Sequence, residues 1–388
     1  MFFLLLFLLA ADPSTAIALL QQGLIALEHG QTLEAKADLE QASRLDPANA
    51  FVWSSLAEIY LRLKEPEKAS AAAEKAEKIG SGIPAVAHAL AMYYSEAGQF
   101  AHAAKLEEAY ASSPKADPGA LLRAASLYLE GGDAGKAIDL ARRADPSAAR
   151  EDVLGRALLA SGQPVEGLKH LSEAWEEAKT DSRITFDYAQ ALLQHGDFGG
   201  AAEVVDVALA AHSEDPQLVL SLGVARYGQR RFEDAVMAFL KVIQIDPQIE
   251  QPYRFLGKML DQAGSHLDEI TQDCERWAKR NPKDAEAQLV LAKARLAKDG
   301  RDPAAEGLLR RSIALDGNDW EAHCELGILL EGRRDFSDAA KELARAVELN
   351  PKEPTPHYHL SRVYDRLGQP ERAQAERALH EELTAAPR

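Results

Sequence analysis

Sulfur is scarce in this chain, with two cysteines, Cys274 and Cys324, among 388 residues. That is too few for a disulfide framework or a four-ligand zinc site. A bridge between them is possible but not expected, because helical positions in non-adjacent repeats stand too far apart for disulfide geometry. Positive charge is the second shortage: 44 basic residues stand against 61 acidic ones, a net charge of −17. Such a surface repels phosphate backbones and anionic membranes, so neither nucleic acid nor a membrane surface is expected as a partner. Long apolar runs are missing after the N-terminus, and no later segment approaches the length of a transmembrane helix. Residues 2–10, FFLLLFLLA, are the exception. This run has the length of a signal-peptide core and is too short to span a bilayer. Small residues follow at Ala10, Ala11, Ser14 and Ala16, in a small-x-small cleavage pattern, although no basic residue precedes the run. The expectation is a signal peptide over residues 1–11 and an exported, periplasmic or secreted protein, with no membrane span once the signal is removed. The alternative is a cytoplasmic chain whose greasy first helix caps the fold.

Catalytic signatures are missing as well. The chain has no HExxH, no GxSxG and no glycine-rich phosphate loop. Its 11 histidines are scattered. The nearest pair, His357 and His359, lies two residues apart, which on a helix means divergent faces and no shared metal. A surface pair is expected there, and exposed side chains at His102, His170, His195, His212 and His266. Carboxylates such as Glu65 and Glu67 read as solvated helix ends. No catalytic residue, metal or cofactor is assigned, and the chain is expected not to be an enzyme.

What is present is globular composition, 46% hydrophobic and 27% charged, and a passage written more than once. RRFEDAVMAFLKVIQIDP, residues 230–247, has a cousin in RRDFSDAAKELARAVELNP, residues 333–351. Counting back from Pro247 finds Val242, Phe239, Ala235 and Gly223. Ala346, Leu343, Ala339 and Gly327 stand at the same offsets before Pro351, and Ala42, Leu39, Ala35 and Gly23 before Pro47. Pro247 and Pro351 are separated by about three strides of 34 to 35 residues.

A 34-residue period of paired helices resembles the tetratricopeptide repeat. Trp53, Leu56 and Tyr60 match its W-x2-L-x3-Y element, with Ala57 where the family has glycine, and Ala69 and Ala76 supply the small positions of the second helix. The resemblance runs over roughly residues 16–388. It implies an all-α fold, a right-handed α-solenoid of about eleven helix-turn-helix units forming one continuous array over 12–388. Unit starts are expected near residues 16, 50, 84, 118, 148, 182, 216, 250, 286, 320 and 354. The third to sixth units are degenerate, but their turns EAGQF, EGGDAGKA, ASGQP and QHGDF each carry a glycine suited to a helix C-terminus. The fourth unit is short in its second helix, and the eighth carries an extra residue near SHLDEI.

Packing chemistry explains the stride. Glycine inside a helix costs roughly 1 kcal/mol against alanine, so Gly23, Gly223 and Gly327 signal a close helix–helix approach. Ala35, Ala235 and Ala339 serve likewise, and Phe239, Leu343 and Tyr60 are expected to fill the space between neighbouring hairpins. Asp46-Pro47, Asp246-Pro247 and Asn350-Pro351 end the second helix of each unit.

Family members commonly bind peptides along the first helices of their units. The exposed positions there are the second, fifth, ninth and twelfth, which gives Phe51, Ser54, Glu58, Phe186, Gln190, Leu220, Val224, Tyr227, Gln251, Arg254, Lys258, Tyr358 and Arg362 as candidate partner-binding residues, with Arg366 nearby. The chaperone-binding branch of the family uses a lysine and asparagine clamp in this helix. Here Asn49, Asn281, Asn318 and Asn350 all fall at turns or unit boundaries, so that branch is not expected. The resemblance therefore implies a non-enzymatic scaffold with a protein or peptide partner. The alternative is a structural component of an envelope or secretion assembly that acts through its convex face or by self-association.

Overall fold

The computed structural model describes residues 13–80 and 82–385; the signal peptide expected over 1–11 lies outside them. Among the described residues there are 22 α-helices and no strand. The chain falls into two compact units, one up to Ala191 and one from Leu192 onward. The first holds the hairpins α1 (Pro13–Glu28) and α2 (Thr32–Leu45), α3 (Ala50–Arg62) and α4 (Pro66–Gly80), α5 (Pro84–Glu96) and α6 (Phe100–Ala111), α7 (Ala120–Glu130) and α8 (Ala134–Arg143), and α9 (Ala148–Ala160) and α10 (Pro164–Glu177). The helix α11 (Ser182–Gln194) carries the boundary. The second unit holds α12 (Phe198–Leu209), then α13 (Pro216–Gly228) and α14 (Phe232–Ile245), α15 (Gln251–Lys258) and α16 (Leu267–Arg280), α17 (Ala285–Lys298) and α18 (Ala305–Leu315), α19 (Trp320–Gly332) and α20 (Phe336–Leu349), and α21 (Pro354–Arg366) and α22 (Pro370–Ala385). The odd-numbered helices begin within three residues of the starts expected from the stride. Within each unit, successive hairpins also meet through their first helices, as α3 does with α5, α7 with α9, and α19 with α21. This stacking makes each unit an α-solenoid.

The small residues act as seats. A methyl group on Gly223 would lie 2.6 Å from Cε1 of Phe239, and one on Gly327 would lie 2.5 Å from Cγ of Leu343. Both large side chains are fully buried. Each therefore rests on the first helix of its own hairpin, sixteen residues back, as well as facing the next one; the Phe239 ring also stacks on Phe255 of α15 at 4.8 Å. Leu171 sits on Gly155 by the same offset, at 2.7 Å from a would-be methyl. The fifth hairpin, degenerate in sequence, thus keeps the seat.

The turns follow the same ruler. Gly98, Gly132, Gly162 and Gly196 have left-handed backbone, with φ between 73° and 83°, which glycine adopts without a Cβ penalty. Three hairpins place a long cation in that conformation instead: Lys64 (φ 58°), Arg230 (φ 60°) and Arg334 (φ 69°). The irregular units behave as expected. The helix α8 has 10 residues against 14 in α14. The helix α15 stops after 8 residues and is followed by single 3-10 turns at Leu260–Gln262 and Gly264–His266.

Between hairpins, a ring at the third or fourth position of the first helix reaches back six residues. Trp53 Nε1 donates to the Pro47 carbonyl (3.0 Å), Tyr253 Oη to that of Pro247 (3.2 Å), and His357 Nε2 to that of Pro351 (3.1 Å). This corrects the surface-pair expectation for His357 and His359. His357 is 1% exposed and its Nδ1 lies 2.6 Å from Glu376, while His359 is half-buried against Glu331 at 2.6 Å. The two do point apart, as their spacing requires. His102 and His170 are likewise only half-exposed, beside Glu77 and Glu151. Glu65 pairs with Lys36 and Lys68, both at 2.6 Å, and is no idle helix end. Both cysteines are buried and free, and burial pushes the Cys274 thiol up to about 12.

Candidate partner-binding surfaces

In the first unit, Phe51 is exposed and Glu58 is held by Arg62 at 2.5 Å, one turn on. Ser54 is buried, donating to the Phe51 carbonyl at 3.0 Å. Phe186 and Gln190 are half-buried. A hollow of about 430 Å³ lies along the first helices of consecutive hairpins, with Met92 of α5, Leu122 and Ser126 of α7, Val153 of α9 and Arg183 of α11 around it. Glu107 belongs to its wall; this buried carboxylate is matched by His88 Nδ1 at 2.7 Å and Arg123 Nε at 2.8 Å. Behind Arg183 lies a charge cluster absent from the sequence reading. Arg183 Nη1 donates to Asp152 Oδ2 at 2.8 Å, and Arg156 Nη1 lies 3.4 Å from Asp187. Asp152 is fully buried and its Oδ1 has no hydrogen-bond partner. Burial first, and the neighbouring Asp187 charge second, raise the Asp152 carboxyl well above the usual range. The signal was available: Asp152 and Arg156 occupy the fifth and ninth positions of α9, the same positions that yielded Phe186 and Gln190 one stride later.

Elsewhere in this unit Glu151, His170 and Glu173 bring donor atoms within 4.8 Å of one another. Arg150 already holds Oε1 of Glu151, and His170 lies 2.6 Å from Oε2. These contacts make the trio an ion-pair cluster.

In the second unit, Leu220, Val224 and Tyr227 are half-buried and packed on the core. The Tyr227 ring lies edge-on to Phe232 and Phe255, at 5.8 and 5.7 Å. Arg254 is engaged by Glu250 (3.0 Å) and, on the next hairpin, Glu286 (2.7 Å). Gln251 and Lys258 are exposed. Tyr358 is exposed, with the Arg362 guanidinium 5.5 Å from its ring centre.

Arg362 also belongs to a larger arrangement. Two adjoining hollows, of about 740 and 530 Å³, share Ile328, Gly332 and Arg334. The first adds Arg301, Glu325 and Arg333, and the second Glu331, His359, Arg362 and Arg366. Glu331 is matched by His359 and by Arg362 Nε at 3.2 Å, and Arg333 by Glu306 at 2.5 Å. Burial raises the pKa of Glu325, with Lys293 opposing it. Among the described residues no carboxylate pairs with Arg301, Arg334 or Arg366, and all three are exposed. The structure thus brings Arg362 and Arg366 together with arginines that the sequence reading did not single out. Arg334 was in plain view, as the second arginine of RRDF, but it sits in the turn and not on the helix face that was counted.

Models of the tetratricopeptide repeat match residues 26–93, 158–223 and 324–387, together just over half of the chain. No curated protein sequence matches it. Similar solved structures include yeast Tom70 (16% identity, covering 96% of this chain and 92% of that one, TM-score 0.39). Another is the human IFIT1 dimer with PPP-AAAA (15% identity, 98% and 92%, TM-score 0.44). A third is pilF of Pseudomonas aeruginosa (17% identity, 63% and 98%, TM-score 0.41).

Proposed function

Because this chain belongs to the tetratricopeptide repeat family, whose repeats are protein–protein interaction scaffolds, we propose that the first helices of its hairpins hold a segment of a partner protein, without catalysis. The observation that carries this reading is the placement of the hollows. Three hollows, one in the first unit and two in the second, lie against the first helices of stacked hairpins, where Met92, Leu122 and Ile328 offer apolar contact and arginines offer charge, while a fourth, of about 550 Å³, lies between the second helices α16 and α18 beside α17. A surface preformed by stacked hairpins binds with little ordering cost on its own side, and arginine and large apolar anchors suit interface centres. Export, motivated by the apolar run at residues 2–10, belongs to the same proposal. Fractionation of cells expressing the full chain, with and without residues 1–11, tests it, and retention of both forms in the cytoplasm overturns it.

The binding surface is tested by photo-crosslinking in the native cell. A photoreactive residue replaces the exposed Met92 or the half-buried Ile328 on first helices, or the exposed Val165 or Met237 on second helices. Crosslinks to a partner at Met92 and Ile328 support the reading. Crosslinks confined to Val165 and Met237, above all to a second copy of the chain, overturn it in favour of an assembly component that works through its outer face.

A further inference from the structure

The two hollows over α17, α19 and α21 carry a local excess of positive charge. A chain of net charge −17 gathers Arg301, Arg333, Arg334, Arg362 and Arg366 around one stretch of surface. The carboxylates among them do not cancel that charge. Glu331 is taken up by His359 and Arg362. Glu325 is half-buried, which raises its pKa, and Lys293 stands opposite it. Arg301, Arg334 and Arg366 remain exposed without a carboxylate partner. Their floor is apolar, from Leu296, Ile328 and Leu329, and Gly332 leaves it open: a methyl group built there meets no atom within 4 Å.

Arg334 sits in the turn between α19 and α20. Arg334 holds φ at 69°, in the conformation that glycine takes in the turns at Gly98, Gly132, Gly162 and Gly196. A side chain there costs roughly 1 kcal/mol or more. Lys64 and Arg230 hold the same conformation in the matching turns of other hairpins, so it is the placement of Arg334 at the edge of both hollows, and not its strain, that bears on a ligand.

Resting on the scaffold reading above, we infer that this arginine-lined surface binds an extended acidic peptide segment, in which carboxylates meet Arg301, Arg334 and Arg366 and an intervening apolar side chain lies over Ile328. Arginine suits the role because its planar fork grips a carboxylate through two hydrogen bonds. The observations favour a peptide over a nucleic acid. Phe336, the one aromatic ring in the lining besides His359, is half-buried on the core and so offers no open stacking face for a base. The protein beyond the patch repels a phosphodiester chain.

The test uses the full chain and three fluorescein-labelled probes: a short peptide alternating glutamate with leucine, its glutamine counterpart, and an oligothymidylate of similar length. Anisotropy should report binding of the glutamate peptide at least about tenfold tighter than of the glutamine peptide, the scale of a lost charge-assisted contact. Added salt should weaken it. Two variants keep the fold intact: Arg334→Gly relieves the strained turn, and Gly332→Leu fills open space. Both should lower affinity by about fivefold or more with an unchanged or raised melting temperature, since one charged contact is worth that much. Equal binding of the two peptides, binding of neither, tighter binding of the oligonucleotide, or wild-type affinity in Arg334→Gly overturns the inference. Each of these outcomes leaves the scaffold reading standing while the crosslinks at Met92 and Ile328 stand.

Discussion

Truncating Phe239 to alanine tests the seat geometry on which each hairpin depends. The ring is fully buried, rests on the Gly223 backbone and stacks on Phe255 at 4.8 Å with planes 10° apart. Removing it forfeits transfer free energy and leaves a cavity, a loss of about 3–5 kcal/mol, of which the aromatic pair accounts for about 0.5–1.5 kcal/mol. The partner substitution Gly223→Ala places a methyl group 2.6, 2.9 and 3.1 Å from three ring carbons of Phe239. Overpacking of that kind costs about 1–3 kcal/mol, partly offset by alanine's helix propensity, worth about 1 kcal/mol. The two changes must not add. With the ring gone the methyl group has no clash and occupies part of the void, so the double variant should be more stable than the sum of the singles implies by about 1–2 kcal/mol, within the range of contacting pairs. Urea unfolding followed by helical circular dichroism gives the free energies, and amide exchange in α13 and α14 places the loss. Additive effects, or a Phe239→Ala loss below about 1 kcal/mol, would refute the seat and with it the register of the hairpins.

The turns and buried polar groups give further tests. Arg230→Gly and Lys64→Gly should stabilise by up to about 1 kcal/mol and Gly98→Ala should cost about as much, because all three residues hold positive φ; thermal melts decide. His357→Ala removes the ring that meets both Glu376 and the Pro351 carbonyl and should cost about 1–3 kcal/mol, whereas alanine at the exposed His212 should leave the urea midpoint unchanged. Asp152 has its carboxyl pKa raised by burial and by Asp187, so the fold favours its protonated form. That contribution is fully present below the ordinary carboxylate range and is lost as pH rises through the elevated value. The wild-type melting temperature should therefore fall between about pH 4 and pH 7 more steeply than that of Asp152→Asn; equal slopes refute the assignment.

The helices were legible because their information is local. Prolines that cannot continue a helix and small residues at fixed offsets mark the same points in the chain and in the structure, so the odd-numbered helices start close to the counted positions. Even a hairpin without the full pattern kept its Gly155–Leu171 seat. The candidate surfaces were less legible because their partners lie nearly a full stride apart. Lys36 reaches Glu65, Arg254 reaches Glu286 and His359 reaches Glu331; whether a polar side chain is free or engaged depends on what the next hairpin offers. Leu220, Val224 and Tyr227 pass from face to core for the same reason. His357 was misjudged because nothing in its own helix announces the carbonyl six residues back that receives its ring.

The sixteen-residue reach of the seats has a consequence for how such a chain changes over generations. The contacts that set Leu343 on Gly327 close within residues 320–349, so a whole stride is a self-contained cassette. Removing residues 320–353 would deliver α18 straight to α21, a helix that also starts a hairpin, with the seats on either side untouched. Recombination could therefore exchange Arg333 and Arg334 with their stride while keeping every seat, provided the new stride also supplies partners for Lys293, Glu306 and His359 on either side.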